Sequence, residues 1–321
     1  MSDSLYDIII IGAGPAGLTA GLYASRRTLK TLILSKDLGG QAAISYDVEN
    51  YPGLDLIDGV TLMQKFAQHA QKFGAEIKYD EVTEIAKTEN GFAVKTAKQN
   101  FQAQSLILAF GLSPRDLDIP GEQNFKGRGV SYCATCDGPL YKNKTVAVIG
   151  GGNSALDAAE YLAKIATKVY LIHRRDQFRG EELVVGQLKK NPKVEMILSS
   201  EILEIKGSQF VESIVIKHNG HGETREIKTD GIFVEIGYAA KTEFIKDLVK
   251  LNGQGEIITD KDTNTSAPGI FACGDVTDTS YKQIVISAGE GAKAALQAYR
   301  YLSLCQGKKI LPDWEQKKVN C

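Results

Sequence analysis

Two copies of one local pattern constrain the fold of this chain more than any other feature. In each copy an apolar run leads into a glycine-rich turn and then into a helical pattern. Residues 5–11 precede residues 12–17 (GAGPAG), and residues 145–149 precede residues 150–155 (GGGNSA). Short continuous apolar runs are typical of buried parallel strands, and a G-x-G-x-x-G/A turn between strand and helix is typical of a dinucleotide-binding unit. The repeat predicts an α/β fold with two Rossmann-like, three-layer nucleotide-binding domains.

The length and composition agree with two domains and exclude several classes of protein. The chain has 321 residues, of which 43% are hydrophobic and 24% are charged, with a net charge of −1. This balance gives no reason to expect binding to nucleic acid, and no basic run resembles a nucleic-acid-binding arm. No apolar run approaches the roughly 20 residues of a membrane helix, and the polar N-terminal residues do not form a secretory signal. We expect a cytoplasmic protein without a nucleic-acid or membrane partner.

The second notable feature is a C-x-x-C pair, Cys133 and Cys136, which precedes the second glycine-rich turn. Such a pair can bind zinc, form a structural disulfide or undergo reversible oxidation. A structural zinc site needs two further ligands nearby, whereas Cys273, Cys305 and Cys321 are distant and irregularly spaced. Redox chemistry is the favoured interpretation of the three, and no metal site is predicted.

An acid follows the second cysteine directly. Thiol–disulfide exchange needs a proton for the leaving thiol, and no histidine lies within local reach of the cysteines. Asp137 is therefore a candidate general acid/base if the fold buries it. The alternative is that Asp137-Gly138 simply forms a turn, and both roles are compatible.

A basic cluster stands where the second nucleotide-binding unit would contact a ribose. His173, Arg174 and Arg175 end the predicted strand at residues 168–172, and Arg179 follows four residues later. An NAD site prefers an acid at this place, whereas arginines suit the 2′-phosphate of NADPH through charge-assisted hydrogen bonds. The alternative is a solvated basic turn.

These motifs together resemble those of the low-molecular-weight, bacterial-type thioredoxin reductases, and the similarity extends over nearly the whole chain. Further matching segments are residues 39–41 (GGQ), 49–53 (ENYPG), 119–122 (IPGE) and 271–276 (FACGDV). The resemblance implies an FAD- and NADPH-dependent disulfide reductase that acts on thioredoxin or a thioredoxin-like protein and forms a homodimer. It implies an NADPH domain (115–242), carrying the cysteines, inserted into an FAD domain (1–114 and 243–321), with rotation between the two.

The resemblance also assigns roles to individual residues. Cys133 would attack thioredoxin, Cys136 would face the flavin and Asp137 would be the acid. The FAD site would comprise Gly12, Gly14, Pro15, Ala16, Gly17, Gly40, Gln41, Asn50, Gly111, Asp275, Gln283 and Ile284. The NADPH site would comprise Gly150, Gly152, Asn153, Ser154, Ala155, His173, Arg174, Arg175 and Arg179.

The chain departs from the family pattern at three places. Phe110 replaces the usual threonine before Gly111, which puts local flavin or hinge contacts in question, and Lys282 replaces the usual arginine before Gln283. A C-terminal tail carries Trp314 and Cys321 past the usual end. Trp314 would stack on a flavin or a partner subunit, or simply pack.

Two other functions remain open from the sequence alone. A related flavin disulfide reductase could take electrons from ferredoxin, or deliver them to a peroxiredoxin or glutaredoxin-like protein. A non-catalytic redox sensor could use the C-x-x-C pair as a switch. The arginine cluster favours NADPH over ferredoxin as the electron donor.

Overall fold

The computed structural model describes residues 5–45 and 48–308. The chain divides into two compact units, unit 1 (Met1–Leu112 with Ala240–Cys321) and unit 2 (Ser113–Ala239). The tail residues Trp314 and Cys321 lie outside the described residues. Within the described ranges, none of the helices combines the length and apolar character that a bilayer span requires.

Strands and helices alternate in the first part of each unit, and runs of consecutive strands follow. The elements before residue 113 are β1 (Leu5–Ile11), α1 (Pro15–Arg26), β2 (Thr31–Ser35), α2 (Gly59–Lys72), β3 (Glu76–Tyr79), β4 (Val82–Thr88), β5 (Gly91–Thr96) and β6 (Asn100–Leu108). Unit 2 contains β7 (Ser113–Pro114), α3 (Glu122–Phe125), β8 (Val130–Ser131), α4 (Ala134–Asp137), β9 (Thr145–Gly150), α5 (Asn153–Ile165), β10 (Lys168–Ile172), α6 (Glu182–Lys190), β11 (Val194–Ile197), β12 (Ser200–Gly207), β13 (Val211–His218), β14 (Thr224–Lys228), β15 (Gly231–Glu235) and β16 (Tyr238–Ala239). The chain returns to unit 1 with β17 (Ile270–Ala272) and α7 (Ile284–Cys305).

Unit 1 is built on a seven-stranded sheet in the order β3-β2-β1-β6-β5-β4, with β17 also paired to β6. The strands β1, β2, β3, β6 and β17 run parallel, whereas β4 and β5 form an antiparallel extension. Successive side chains of a strand point to opposite faces. Ile8 and Ile10 accordingly belong to one core cluster, while Ile9 and Ile11 belong to another. Burial on both faces explains why β1 is apolar without alternation.

Small residues let the helices α1 and α7 pack closely over this sheet. The cluster that contains Ile8 also contains Leu18 of α1 and the α7 residues Ala294 and Ala298. A Cβ atom at Gly291 would meet the backbone of Ala16 in α1, with the Ala16 Cα at 3.0 Å. The close contact between α1 and α7 therefore requires glycine at position 291.

Unit 2 has three layers around a five-stranded parallel sheet of order β11-β10-β9-β15-β8. On one face, Val146 and Val148 pack with residues of α5 such as Leu162. On the other face, Ala147 and Ile149 pack against the antiparallel three-stranded sheet β12-β13-β14. The predicted α/β class with parallel sheets is confirmed.

One strand prediction was wrong in unit 2. The sequence predicts a single strand over residues 194–205, whereas the structure has β11 in the parallel sheet and β12 in the antiparallel sheet. Ser199, between them, has a positive φ of 48°. A left-handed residue redirects the chain, so the continuous apolar pattern spans two sheets.

The α1–α7 contact yields a stability prediction with an internal control. Gly291→Ala should destabilise the protein by about 1–3 kcal/mol, because the added methyl group meets the Ala16 backbone. Gly289→Ala in the same helix, where a Cβ meets nothing within 4 Å, should be neutral or stabilising by up to about 1 kcal/mol. Chemical denaturation of both variants checks this. Equal stability of the two variants would contradict the packing argument.

Candidate active site

The predicted redox pair forms a short helical turn at the end of β8. Cys133 and Cys136 are joined by a disulfide, with 5.4 Å between their Cα atoms. Cys133 caps α4, and its Sγ accepts a hydrogen bond from the Cys136 N–H at 3.2 Å. The Ser131 hydroxyl accepts from the Cys133 N–H at 3.1 Å. The Cys136 N–H, which is aimed at the Cys133 sulfur, would stabilise a thiolate there after reduction.

The redox turn at residues 133–137 packs against α5. Ala134 is 5% exposed and belongs to the same core cluster as Leu162. Gly138 has a φ of −50°, so its backbone conformation does not require glycine. A Cβ atom at Gly138 would instead lie 2.8 Å from the ring of Tyr161 and 3.2 Å from Leu162. The glycine of the Asp-Gly step is therefore favoured by close packing against Tyr161 and Leu162 and not by its backbone conformation.

A fully buried carboxylate holds the residue before the redox pair. Glu122 is 0% exposed, and its carboxylate accepts from the N–H groups of Leu117 and Asp118 and from the Tyr132 hydroxyl, each at 2.8 Å. Burial, followed by the hydrogen bond to Glu122, raises the pKa of Tyr132. Glu122 belongs to the family-like segment 119–122, but no role is predicted for it from the sequence alone. Its partners become visible only in the fold.

The candidate acid Asp137 lies on the redox turn itself. It is half-buried, and its backbone N–H donates to the Cys133 carbonyl at 3.2 Å. Burial raises the pKa of Tyr141, and the nearby charge of Asp137 adds to that rise. The structure therefore places a carboxyl group beside the cysteines and an adjacent phenol.

The second glycine-rich turn has the geometry of an anion-binding helix start. Gly152 caps α5 without a side-chain hydrogen bond, and a Cβ there would meet nothing within 4 Å. The first N–H groups of α5 are thus open to an anion such as a pyrophosphate. Ala155 is fully buried and packs against Gly150, which has a φ of +156°. Asn153 accepts from the Glu181 N–H at 2.9 Å, and Ser154 is exposed.

The predicted basic cluster lies beside this turn. Arg174, Arg175 and Arg179 are exposed, and no carboxylate of the described residues forms an ion pair with them. The Arg179 N–H donates to the Gly151 carbonyl at 2.7 Å, which ties the cluster to the glycine turn. Three uncommitted guanidinium groups next to a helix start suit a phosphate-bearing nucleotide.

His173 is the buried member of the cluster. It is 5% exposed, stacks on Phe178 with 5.5 Å between ring centroids, and leaves its Nε2 without a hydrogen-bond partner among the described residues. Burial and then the charges of Arg179, Arg175 and Arg174 lower its pKa. The ring is therefore neutral near pH 7, with one unpaired polar atom beside the glycine turn.

The first glycine-rich turn forms a similar helix start in unit 1. A Cβ at Gly12 would meet the Ala109 carbonyl, and a Cβ at Gly17 would meet the Gly12 carbonyl. Gly14 caps α1 without a side-chain hydrogen bond, and Pro15 opens the helix. Close backbone approach and free N–H groups suit a dinucleotide pyrophosphate. Ala16 is packed under α7.

The other predicted flavin residues of unit 1 lie outside its sheet, and two of them, Gly40 and Gln41, begin a short 3-10 helix (Gly40–Ile44). Gln41 donates through Nε2 to the Leu112 carbonyl at 3.0 Å, and Asn50 donates through Nδ2 to the Gln283 Oε1 at 3.1 Å. Gly40 and Gly111 have positive φ values of 52° and 64°, and a Cβ at either would meet nothing within 4 Å. Ile284 is the first residue of α7.

Lys282 replaces an arginine of the family pattern and organises the Asp275 loop. Its Nζ donates to the carbonyls of Asp275 at 2.9 Å and Thr277 at 2.6 Å, and to Glu256 Oε1 at 3.0 Å. Asp275 accepts from the Ser287 hydroxyl at 3.0 Å. Burial raises the pKa of Asp275, against the opposing effects of Ser287 and Lys282. The loop is thus held by the lysine charge without the guanidinium fork.

Phe110, the other described departure, packs into the core of unit 1. Its ring lies 5.2 Å from that of Phe244, tilted by 53°. Both side chains pack against the cluster that contains Ile9 and Ile11. Aromatic packing provides a physical reason for phenylalanine at this position.

Glu235, for which no role was predicted, lies at the carboxyl-terminal end of the unit 2 sheet. Glu235 ends β15, and the parallel register pairs it with Gly150 of β9. On the other side, Phe233 of β15 pairs with Ser131 of β8, two residues before Cys133. The only sequence signal is a charge that ends the buried run at residues 231–234.

The structure sorts the predicted residues into two groups. All the predicted FAD residues belong to unit 1, whereas the predicted NADPH residues and both cysteines belong to unit 2. Among the described residues, no three His, Cys, Asp or Glu side chains come together as a metal site would require. Cys273 is fully buried, and burial raises the pKa of its thiol.

Comparisons with known proteins agree with this architecture. The pyridine nucleotide-disulphide oxidoreductase family model matches residues 6–291. A thioredoxin reductase of Peptoclostridium acidaminophilum is 41% identical over 308 residues, 94% of this chain and 98% of that protein. The crystal structure of Lactococcus lactis thioredoxin reductase shares 40% identity with a TM-score of 0.80, covering 93% of this chain and 99% of that one.

A more distant solved structure bears on the electron donor. A ferredoxin-flavin thioredoxin reductase of Clostridium acetobutylicum is 33% identical, with a TM-score of 0.52, over 95% of this chain and 99% of that one. The family resemblance seen in the sequence is confirmed, and family membership implies a flavin and a nicotinamide cofactor. The chain belongs to the pyridine nucleotide-disulphide oxidoreductases and, among them, to the thioredoxin reductases.

Proposed function

We propose that this protein is an NADPH-dependent thioredoxin reductase that carries FAD and delivers electrons through the Cys133–Cys136 disulfide to thioredoxin or a thioredoxin-like protein. The observation that carries the proposal is the disulfide itself, formed on the same unit as a dinucleotide-type helix start with unpaired arginines. A bound flavin would supply the two-electron carrier between a nicotinamide and this disulfide.

The two cysteines would divide the exchange with the protein substrate. A thiolate on Cys133, stabilised by the Cys136 N–H, would attack one sulfur of the partner disulfide and release the other as a thiolate. Cys136 would then attack the Cys133 sulfur, which reforms the internal disulfide and frees the second partner thiol. Asp137 would supply the proton for a leaving sulfur from its place on the turn.

The cofactor sites are proposed from residues that fit those groups. FAD would place its pyrophosphate at Gly12, Gly14 and Gly17, where Cβ atoms would obstruct the backbone or the helix start is open. NADPH would place its pyrophosphate at Gly152, and its 2′-phosphate at the arginine cluster. A homodimer and a cytoplasmic location stay predictions from the sequence.

The electron donor is the point where the nearest alternative differs. Ferredoxin would need neither a second open helix start nor uncommitted guanidinium groups, whereas a 2′-phosphorylated nicotinamide uses both. Anaerobic mixing with NADPH distinguishes the two donors, because the proposal requires rapid loss of flavin absorbance. A flavin that stays oxidised with NADPH but bleaches with reduced ferredoxin would refute the proposed donor.

Removal of the attacking sulfur should separate the two half-reactions. Cys133→Ser should reduce NADPH-dependent thioredoxin reduction to background, while NADPH still bleaches the flavin, because the serine hydroxyl does not exchange with a disulfide. An insulin-coupled thioredoxin assay and stopped-flow absorbance measure the two steps. Cys305→Ser, which removes an exposed free thiol of unit 1, should retain both activities. Full thioredoxin turnover by Cys133→Ser would refute the assignment.

Neutralising the basic cluster should change cofactor preference. Arg174→Gln with Arg175→Gln should raise the KM for NADPH about 10- to 100-fold, because the two exposed guanidinium groups together should contribute about as much as one charge-assisted hydrogen bond, roughly 1.4–2.8 kcal/mol. The KM for NADH should change less than about twofold, because NADH lacks the 2′-phosphate. The control variant replaces Lys189 and Lys190, exposed at the end of α6, by glutamine, with the same change in net charge. An equal rise in KM for both cofactors would contradict the proposed phosphate contact.

A further inference from the structure

Glu235 occupies a place between the two chemical elements of unit 2. Backbone pairing puts it beside Gly150, the first glycine of the nucleotide turn. The register of β15 with β8 runs from Ile232 opposite Val130 to Phe233 opposite Ser131. Continued by two residues, that register brings Glu235 level with Cys133. The last residue of β15, the strand between β9 and β8, is therefore a carboxylic acid flanked by the nucleotide turn and the redox turn.

The side chain of Glu235 faces the redox turn. The backbone N–H of Ala134, the first residue of α4, lies near its carboxyl group and favours the charged form of that group. Ala134 directly follows Cys133 and is itself buried against α5. The carboxyl group thus contacts the backbone that connects the two redox cysteines.

The charged and titratable groups around Glu235 come from two neighbouring elements. Asp157 of α5 adds a negative charge, and Tyr238 of β16 has its own pKa raised by burial and then by Glu235. Burial raises the pKa of Glu235 from 4.5 to about 7, with the Ala134 hydrogen bond opposing the rise and Asp157 adding to it. The group is therefore neutral in mild acid and gains its charge as the pH rises through neutrality.

We propose that Glu235 is a positioning residue of the redox turn, and that its charge controls the reactivity of the reduced Cys133–Cys136 pair. The proposal rests on the function proposed above, in which this pair is the redox-active disulfide. The carboxyl group lies near the Ala134 backbone, next to Cys133 in the sequence. Its charge, when present, disfavours a neighbouring thiolate by like-charge repulsion.

The affected step is the one that makes the thiolate. Two electrons break the Cys133–Cys136 S–S bond, and one proton converts the products into one thiolate and one thiol. In the proposed function the hydride of NADPH provides both electrons and that proton, and NADP⁺ is formed. An ionised Glu235 shifts the resulting thiolate towards the thiol, whereas a neutral Glu235 does not.

The pH profile of thiol alkylation tests the proposal without NADPH or thioredoxin. The purified protein is reduced with dithiothreitol, freed of it anaerobically, and treated with iodoacetamide between about pH 5 and pH 10. Mass spectrometry follows labelling of the peptide that contains Cys133. Glu235→Gln should lower the pH midpoint by about half a unit or more, because glutamine keeps the acceptor for the Ala134 N–H and removes the charge. The wild-type transition should be broader than that of the variant.

Two further variants separate charge from structure. Glu235→Asp retains a carboxyl group and should keep the higher midpoint of the wild type. Glu201→Gln makes the same substitution at an exposed position of β12 and should leave the profile unchanged. Superimposable profiles of wild type and Glu235→Gln, or an equal shift in Glu201→Gln, would overturn the proposal. Because the reductant is chemical, either result is independent of whether the protein reduces thioredoxin.

Discussion

The parallel register of the unit 2 sheet is the constraint on which the site depends. Parallel strands end at the same edge, so β9, β15 and β8 deliver Gly150, Glu235 and Cys133 to one edge without any long-range loop. A slip of one residue in β15 would turn its buried side chains to the opposite face and remove Glu235 from the redox turn. Apolar packing on both faces of the sheet therefore fixes the chemistry at its edge.

Several buried or half-buried polar side chains near the predicted sites are hydrogen-bonded. Their hydrogen bonds hold the backbone segments that carry the predicted site residues. Glu122 lies fully buried behind Tyr132 and satisfies two backbone N–H groups as well as the phenol. In unit 1, Lys282 plays a comparable part by tying together the carbonyls of the Asp275 loop. His173 is the exception, since its Nε2 faces the nucleotide turn without a partner among the described residues. An unpaired Nε2 at this place is expected if a polar ligand binds at the nucleotide turn and supplies the missing hydrogen bond.

Local patterns made the fold class and the two glycine turns predictable. The strand β1 and the glycine turns at Gly12 and Gly150 are recognisable from short sequence patterns, because each depends on only a few neighbouring residues. Glu122 and Glu235 were not predictable, because a sequence shows a charge but not which distant N–H group it meets. The contact of Phe110 with Phe244 joins segments on opposite sides of unit 2 in the sequence. The break between β11 and β12 was missed because apolar periodicity does not reveal a single left-handed residue.

The central claim is that electrons from a nicotinamide reach the Cys133–Cys136 pair. The most direct measurement is anaerobic reduction of the purified protein with NADPH alone, followed by thiol alkylation and mass spectrometry, with flavin absorbance recorded in parallel. NADPH should make both cysteines available for labelling, and neither should be labelled before NADPH is added. A flavin that bleaches with NADPH while the Cys133–Cys136 disulfide stays intact would contradict this claim.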